Sequence, residues 1–189
     1  MPLFIWASGA VLFAAFVLYV FAQAAVLRNS AQSAADAAAL AAAQDKRDEL
    51  VDGLVGAVGG DGDWARWLSG QALSTKASRA AAERLAADNG ASVVDLQGVD
   101  VRGLPGYEAY VRTNSTIGAT LVPGTDGKHA TARATAVVRP RCEADADSDS
   151  SKEISFTCSQ GKSFIFDVDT FDPADLPDAS VMFAVSLAD

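Results

Sequence analysis

The sequence predicts an α+β protein: one long N-terminal helix that spans a membrane and continues as a stalk, then a small domain in which a helix precedes an antiparallel sheet. Three observations predict it. No side chain from Pro2 to Leu27 is charged. An alanine-rich stretch follows without Gly or Pro as far as Leu50. Beyond Asn89 the pattern changes to short alternating runs rich in Val, Thr, Tyr and Phe. The expected divisions are residues 1–27 for the membrane helix, 28–53 for the stalk and 54–189 for an extracytoplasmic α+β domain.

As a helix, the charge-free run is ~39 Å long, enough to cross a ~30 Å hydrocarbon layer with some tilt. Leu3 to Phe21 holds Leu, Ile, Val or Phe at eleven positions. Together these favour insertion by about 3–7 kcal/mol. Trp6 and Tyr19 stand toward the two ends, as interfacial aromatics do. Two other readings compete. Ala22-Gln23-Ala24 has the small-residue spacing of a signal-peptidase site, but the apolar run is longer than a signal core and no Lys or Arg precedes it. A buried core helix would need apolar surroundings on every side, which a chain of 189 residues supplies poorly.

The stretch from Asn29 to Leu50 favours helix through its alanines. The rod is expected to run to about Asp52, where Gly53, Gly56, Gly59, Gly60 and Gly62 break it into a hinge. Ala34, Ala35, Ala38, Ala41 and Ala42 recur at helical spacing and form a smooth small-residue face that admits another helix backbone closely. The plain alternative is a stalk whose alanines only favour helix.

A second helix is expected over Asp63–Asp88, divided near Gly70 and stopped at Asp88-Asn89-Gly90. Ser92–Val101 and Tyr107–Thr113 read as a hairpin joined by Gly103-Leu104-Pro105-Gly106. Ala130–Val138, Ile154–Cys158, Phe164–Val168 and Val181–Leu187 read as further strands.

Charge is unevenly spread. The chain carries a formal net charge of −9 at a mean hydropathy of +0.15. Residues 143–189 hold eleven acids and two bases, so this segment carries the whole surplus. Such acidity does not suit binding to a phosphate backbone, so no nucleic-acid partner is expected. Solvated loops explain the acidic tail. A calcium site is the sharper alternative, because Asp145-x-Asp147-x-Asp149 starts like an EF-hand loop. That match fails at Ser150, where Gly is needed, and at Phe156, where Glu is needed.

No catalytic motif emerges. His129 is the single histidine and lies before a strand, without a nucleophile motif elsewhere. The glycines near residue 56 lack the Lys-Ser/Thr of a P-loop. One histidine and two cysteines do not make a zinc framework, and no cofactor is expected. Cys142 and Cys158 each fall at a strand end. Antiparallel pairing would bring them within bridging distance; two buried thiols are the alternative. A bridge implies an oxidising compartment and an extracytoplasmic domain, whereas the bases Arg28, Lys46 and Arg47 after the apolar run weakly argue the opposite orientation.

Gln23-Ala24-Ala25-Val26-x-Arg28-Asn29, followed by Ala31-Gln32-Ser33-Ala34-Ala35-Asp36-Ala37-Ala38-Ala39-Leu40-Ala41-Ala42-Ala43, resembles the TadE/TadG-like proteins of Flp-type (Tad) pilus assembly, particularly their actinobacterial branch. Val122-Pro123-Gly124-Thr125, Val138-Arg139-Pro140-Arg141-Cys142 and Leu176-Pro177-Asp178-Ala179 are similar to that branch as well. The resemblance implies a single-pass protein of the cell membrane with its globular part outside, a minor-pilin-like role without catalysis, and partners that are the lipid bilayer and other pilus-assembly or pilin-like membrane proteins. Pilins of this type carry a Glu early in the apolar helix, and Met1–Leu27 has none. A membrane-tethered binding module for calcium or a cell-envelope ligand, acting through the acidic C-terminal region, is the alternative function.

Overall fold

A computed structural model describes residues 2–60, 63–71, 75–116, 127–146, 152–159 and 161–188. The first helix, α1, runs unbroken from Pro2 to Ala57. It therefore passes the expected break at Gly53 and continues for another turn. A Cβ on Gly53 would lie 2.2–2.5 Å from ring carbons of Trp67, so this glycine is a notch that seats an indole rather than a helix stop. The stop comes later, where Gly59 takes a φ of +74°, a left-handed conformation that glycine adopts at little cost.

The expected second helix is two pieces, α2 (Trp64–Leu68) and α3 (Thr75–Asp88), divided around Gly70 as expected. Gly70 also has a positive φ, +76°, and packs beside Pro105 and Pro140. Asn89 and Gly90 close α3, with the Asn89 side-chain amide donating to the Leu85 carbonyl.

Next come β1 (Ala91–Val101), β2 (Leu104–Thr116) and β3 (His129–Pro140). The hairpin between β1 and β2 turns at Arg102-Gly103, with φ of +56° and +81°, and Asp100 Oδ1 accepts from the Gly103 amide. The loop is therefore shorter than expected: Leu104, Pro105 and Gly106 already belong to β2. Pro105 costs no ladder bond toward β3, because that pairing starts at Gly106↔Val137.

The chain then forms β4 (Cys142–Ala144), β5 (Glu153–Cys158), β6 (Lys162–Asp167), two short 3₁₀ turns, α4 (Ala179–Met182) and β7 (Phe183–Leu187). The expected strand from Val181 thus opens as a helical turn. Asp178 caps that turn by accepting from the Ser180 amide at 2.8 Å, and Met182 is buried by it. One antiparallel sheet has the order β1-β2-β3-β7 and the other β4-β5-β6.

The two layers of the core are α1 with α3 and one face of the four-stranded sheet. Tyr107, Ala109 and Val111 of β2 are fully buried, as are Ala136 and Val138 of β3. Glu108 and Arg133 lie on the opposite face, 3.7 Å apart, with the Arg133 guanidinium over the Tyr110 ring. The small sheet joins the same core through Ile154 and Phe156, where Phe156 contacts Phe164 and Phe166, and Phe171 meets Phe166 edge-on.

Candidate functional site

The apolar end of α1 stands clear of the domain. Phe4, Trp6, Leu12, Phe13, Leu18 and Phe21 are each at least two-thirds exposed, at positions all round the helix. The apolar window has a mean hydropathy of 2.4 and none of it is buried. A soluble core helix is covered by its own chain, and this one is not, which removes the buried-helix alternative. Near the far end of the span, the Gln23 side-chain amide donates to the Tyr19 hydroxyl at 2.8 Å, one turn back. The pair offers the amide a partner where lipid offers none. The helix is unbroken through Ala22-Gln23-Ala24.

The alanine face is the main correction to the sequence reading. Ala34, Ala35, Ala38 and Ala42 have no exposed surface and Ala41 has 7%. They do not face another molecule. Their own chain covers them, since α1 packs along β2, β3 and α3. Residues 28–53 are accordingly no free stalk: from Ala31 onward α1 is the spine of the domain, and Ala39, Ala43, Leu50 and Leu54 extend the same buried stripe. Small side chains let the sheet approach the helix axis closely, the use that the sequence had suggested for a partner helix. The same spacing fits either partner, so periodicity alone does not choose between them.

One member of that stripe is charged. Lys46 is 1% exposed and its ammonium lies 3.1 Å from Glu49 Oε1. The neighbouring Asp45 carboxyl is pushed above its ordinary value, first by burial and then by the like charges of Asp48 and Glu49, with Arg84 of α3 and Lys46 pulling the other way. Nothing in Asp45-Lys46-Arg47-Asp48-Glu49 marks this lysine as interior, since burial depends on what packs over it.

Cys142 and Cys158 form a disulfide. They are directly opposed in the β4–β5 register, the antiparallel arrangement that the sequence reading required. Free thiols are thus excluded. The bridge closes a loop of roughly 15 residues and is worth about 3 kcal/mol in the chain-entropy model. It lines an open concavity of about 1010 Å³ together with Arg139, Arg141, Glu143, Asp145 and Ser159.

The other sequence candidates have structural duties. Asp145 accepts hydrogen bonds from the Ser155 and Thr157 hydroxyls, which ties β4 to β5. Asp147 and Asp149, the other carboxylates of the EF-hand-like start, lie outside the described residues. The Asp178 carboxyl is held below its ordinary value by the hydroxyl and amide of Ser180. His129 Nδ1 donates to the Thr113 carbonyl at 2.6 Å and the Ala130 amide donates to Thr113 Oγ1. Both contacts sit where the β2–β3 register shifts, so the imidazole helps to secure that irregularity.

The arrangement defines a class: a membrane-anchored α+β protein whose N-terminal apolar helix is continuous with the core of its head. Residues 1–45 match the family model described as putative Flp pilus-assembly TadE/G-like. That region holds the span and the whole of the alanine motif, Gln23 to Ala43, that carries the resemblance. It identifies the N-terminal region as TadE/TadG-like and supports a component associated with the Tad pilus and the membrane. No curated protein and no solved structure matches the chain.

Proposed function

We propose that this protein is a minor-pilin-like structural component of a Tad (Flp-type) pilus-assembly or secretion system, that it works without catalysis, and that its α+β head lies on the extracytoplasmic side. The observation that carries the reading is the single helix shared by two environments. The apolar TadE/G-like segment and the domain core are one uninterrupted α1, Pro2–Ala57. A head built around its own anchor cannot swivel on a flexible linker, so its orientation relative to the membrane-spanning helix is set. This suits a part that must present a fixed surface to neighbouring assembly proteins. The Cys142–Cys158 bridge supports the outside orientation, since disulfides persist in oxidising compartments.

Two measurements test it. Deleting the gene in its own host should abolish or shorten surface pili while leaving pilin synthesis intact, and an unaltered pilus would refute the assembly role. With intact cells, a membrane-impermeant maleimide should modify Cys142 and Cys158 after reduction. Labelling that needs permeabilised membranes would refute the orientation.

A further inference from the structure

We infer that the membrane-proximal end of the head rests on the bilayer surface and that Arg28, Arg112 and Lys128 take the phosphates of anionic phospholipids. This rests on the reading that Pro2–Leu27 spans the membrane.

Near the base of the head, the Gln32 side-chain amide reaches the Arg133 carbonyl of β3. At the other end, Trp67 sits on Gly53 of α1, and Gly70, three residues further on, packs against Pro140 at the end of β3. Strand β3 therefore runs with α1, away from the membrane, and its first residues point back toward lipid.

The levels follow. Gln32 is ~7–8 Å beyond Leu27 along the helix, at ~1.5 Å per residue. Stepping back two residues along β3, from Arg133 to Thr131, lowers the level by ~6–7 Å. Thr131 pairs with Arg112, so this pair stands about level with Leu27 and Arg28. Lys128 and His129 are lower still. A headgroup layer adds about 5–8 Å to each side of the hydrocarbon. This end of the head thus reaches the depth at which lipid phosphates lie.

Charge matches that position. Arg28, Arg112 and Lys128 are all exposed. Among the described residues at and below the Arg112 level, Asp88 at the end of α3 is the opposing acid. The distal end is the reverse: the described residues from Arg139 to Ala188 carry eight acids and four bases. A chain of net charge −9 thus turns its positive end to the membrane and its negative end away. An anionic surface would attract the first and repel the second, which fixes tilt as well as height.

The test uses the full chain in nanodiscs of phosphatidylcholine alone or of equal parts phosphatidylcholine and phosphatidylglycerol. A fluorophore on Ser115→Cys reports proximity to a headgroup spin label, and one on Ser163→Cys serves as the distal control. Position 115 should be quenched more strongly in the anionic discs, with the excess lost at high salt, and position 163 should stay unquenched. Arg112→Glu with Lys128→Glu should abolish the excess. The milder Arg112→Gln with Lys128→Gln should lower the docked-to-free ratio about five-fold per base removed, the equivalent of ~1 kcal/mol each. Equal quenching in the two disc types, or an excess that survives charge reversal, overturns the proposal. Failure of the chain to remain in either disc overturns the membrane reading beneath it.

Discussion

Gly53→Ala is the most informative single change. In an exposed helix interior it should stabilise, because alanine is favoured over glycine by about 0.8–1.0 kcal/mol. Here the new methyl would sit 2.2–2.5 Å from three ring carbons of Trp67, well inside contact distance. The indole must move, and α2 with it. Overpacking of this kind costs about 1–3 kcal/mol, so the net effect in the native background is a loss of up to about 2 kcal/mol. Removing the obstacle reverses the sign: in a Trp67→Ala background the same substitution should stabilise by about 1 kcal/mol. The coupling between the two sites is then the overpacking energy itself, about 1–3 kcal/mol. The assay is guanidinium unfolding of the four chains of this cycle in detergent micelles, followed by circular dichroism. If Gly53→Ala stabilises the native chain, or the coupling is below about 0.5 kcal/mol, Trp67 does not occupy that notch and the account of why α1 outlasts its glycine is wrong.

Further outcomes are expected elsewhere in the chain. A fragment beginning at residue 28 should fold cooperatively without detergent, whereas one beginning at residue 54 should show no thermal transition, because it lacks the helix whose alanines line the core. Reduction, or Cys142→Ser with Cys158→Ser, should lower stability by about 3 kcal/mol in denaturant titration. Asp45→Asn should raise stability at neutral pH. The folded-state pKa of Asp45 lies above its unfolded value, so ionising it works against the fold, and native stability from this group falls as pH rises through that folded pKa. The variant should flatten the acid-side slope of a stability–pH curve, and an unchanged slope would show that Asp45 is not desolvated. Ala38→Leu should cost about 1–3 kcal/mol by overpacking the helix–sheet seam, read as a shift in denaturation midpoint.

Much of the architecture was legible because it rests on local rules. The charge-free run, the alanine helix, the division near Gly70, the stop at Asn89-Gly90 and the disulfide-linked strands follow from length, propensity and turn chemistry. The misreadings share a cause. Gly53 looked like a stop, since nothing nearby in sequence shows Trp67 arriving from the next helix. Val181 and Met182 looked like strand because their apolar run resembles one, while the Asp178 cap starts a turn first. Lys46 is buried although Asp45, Arg47, Asp48 and Glu49 flank it in the chain, and what covers it is remote in sequence.

What the sequence determined by itself is where the chain meets lipid and that a small α+β head follows, because hydrophobic length and periodicity are properties of consecutive residues. Only the tertiary structure decided what covers the alanines of α1. A smooth helical face accepts a sheet or a second helix equally well, and the choice depends on which surface the rest of the chain brings against it. Strands β2 and β3 and helix α3 close over that face, so the helix that enters the membrane is also the one around which the head is built.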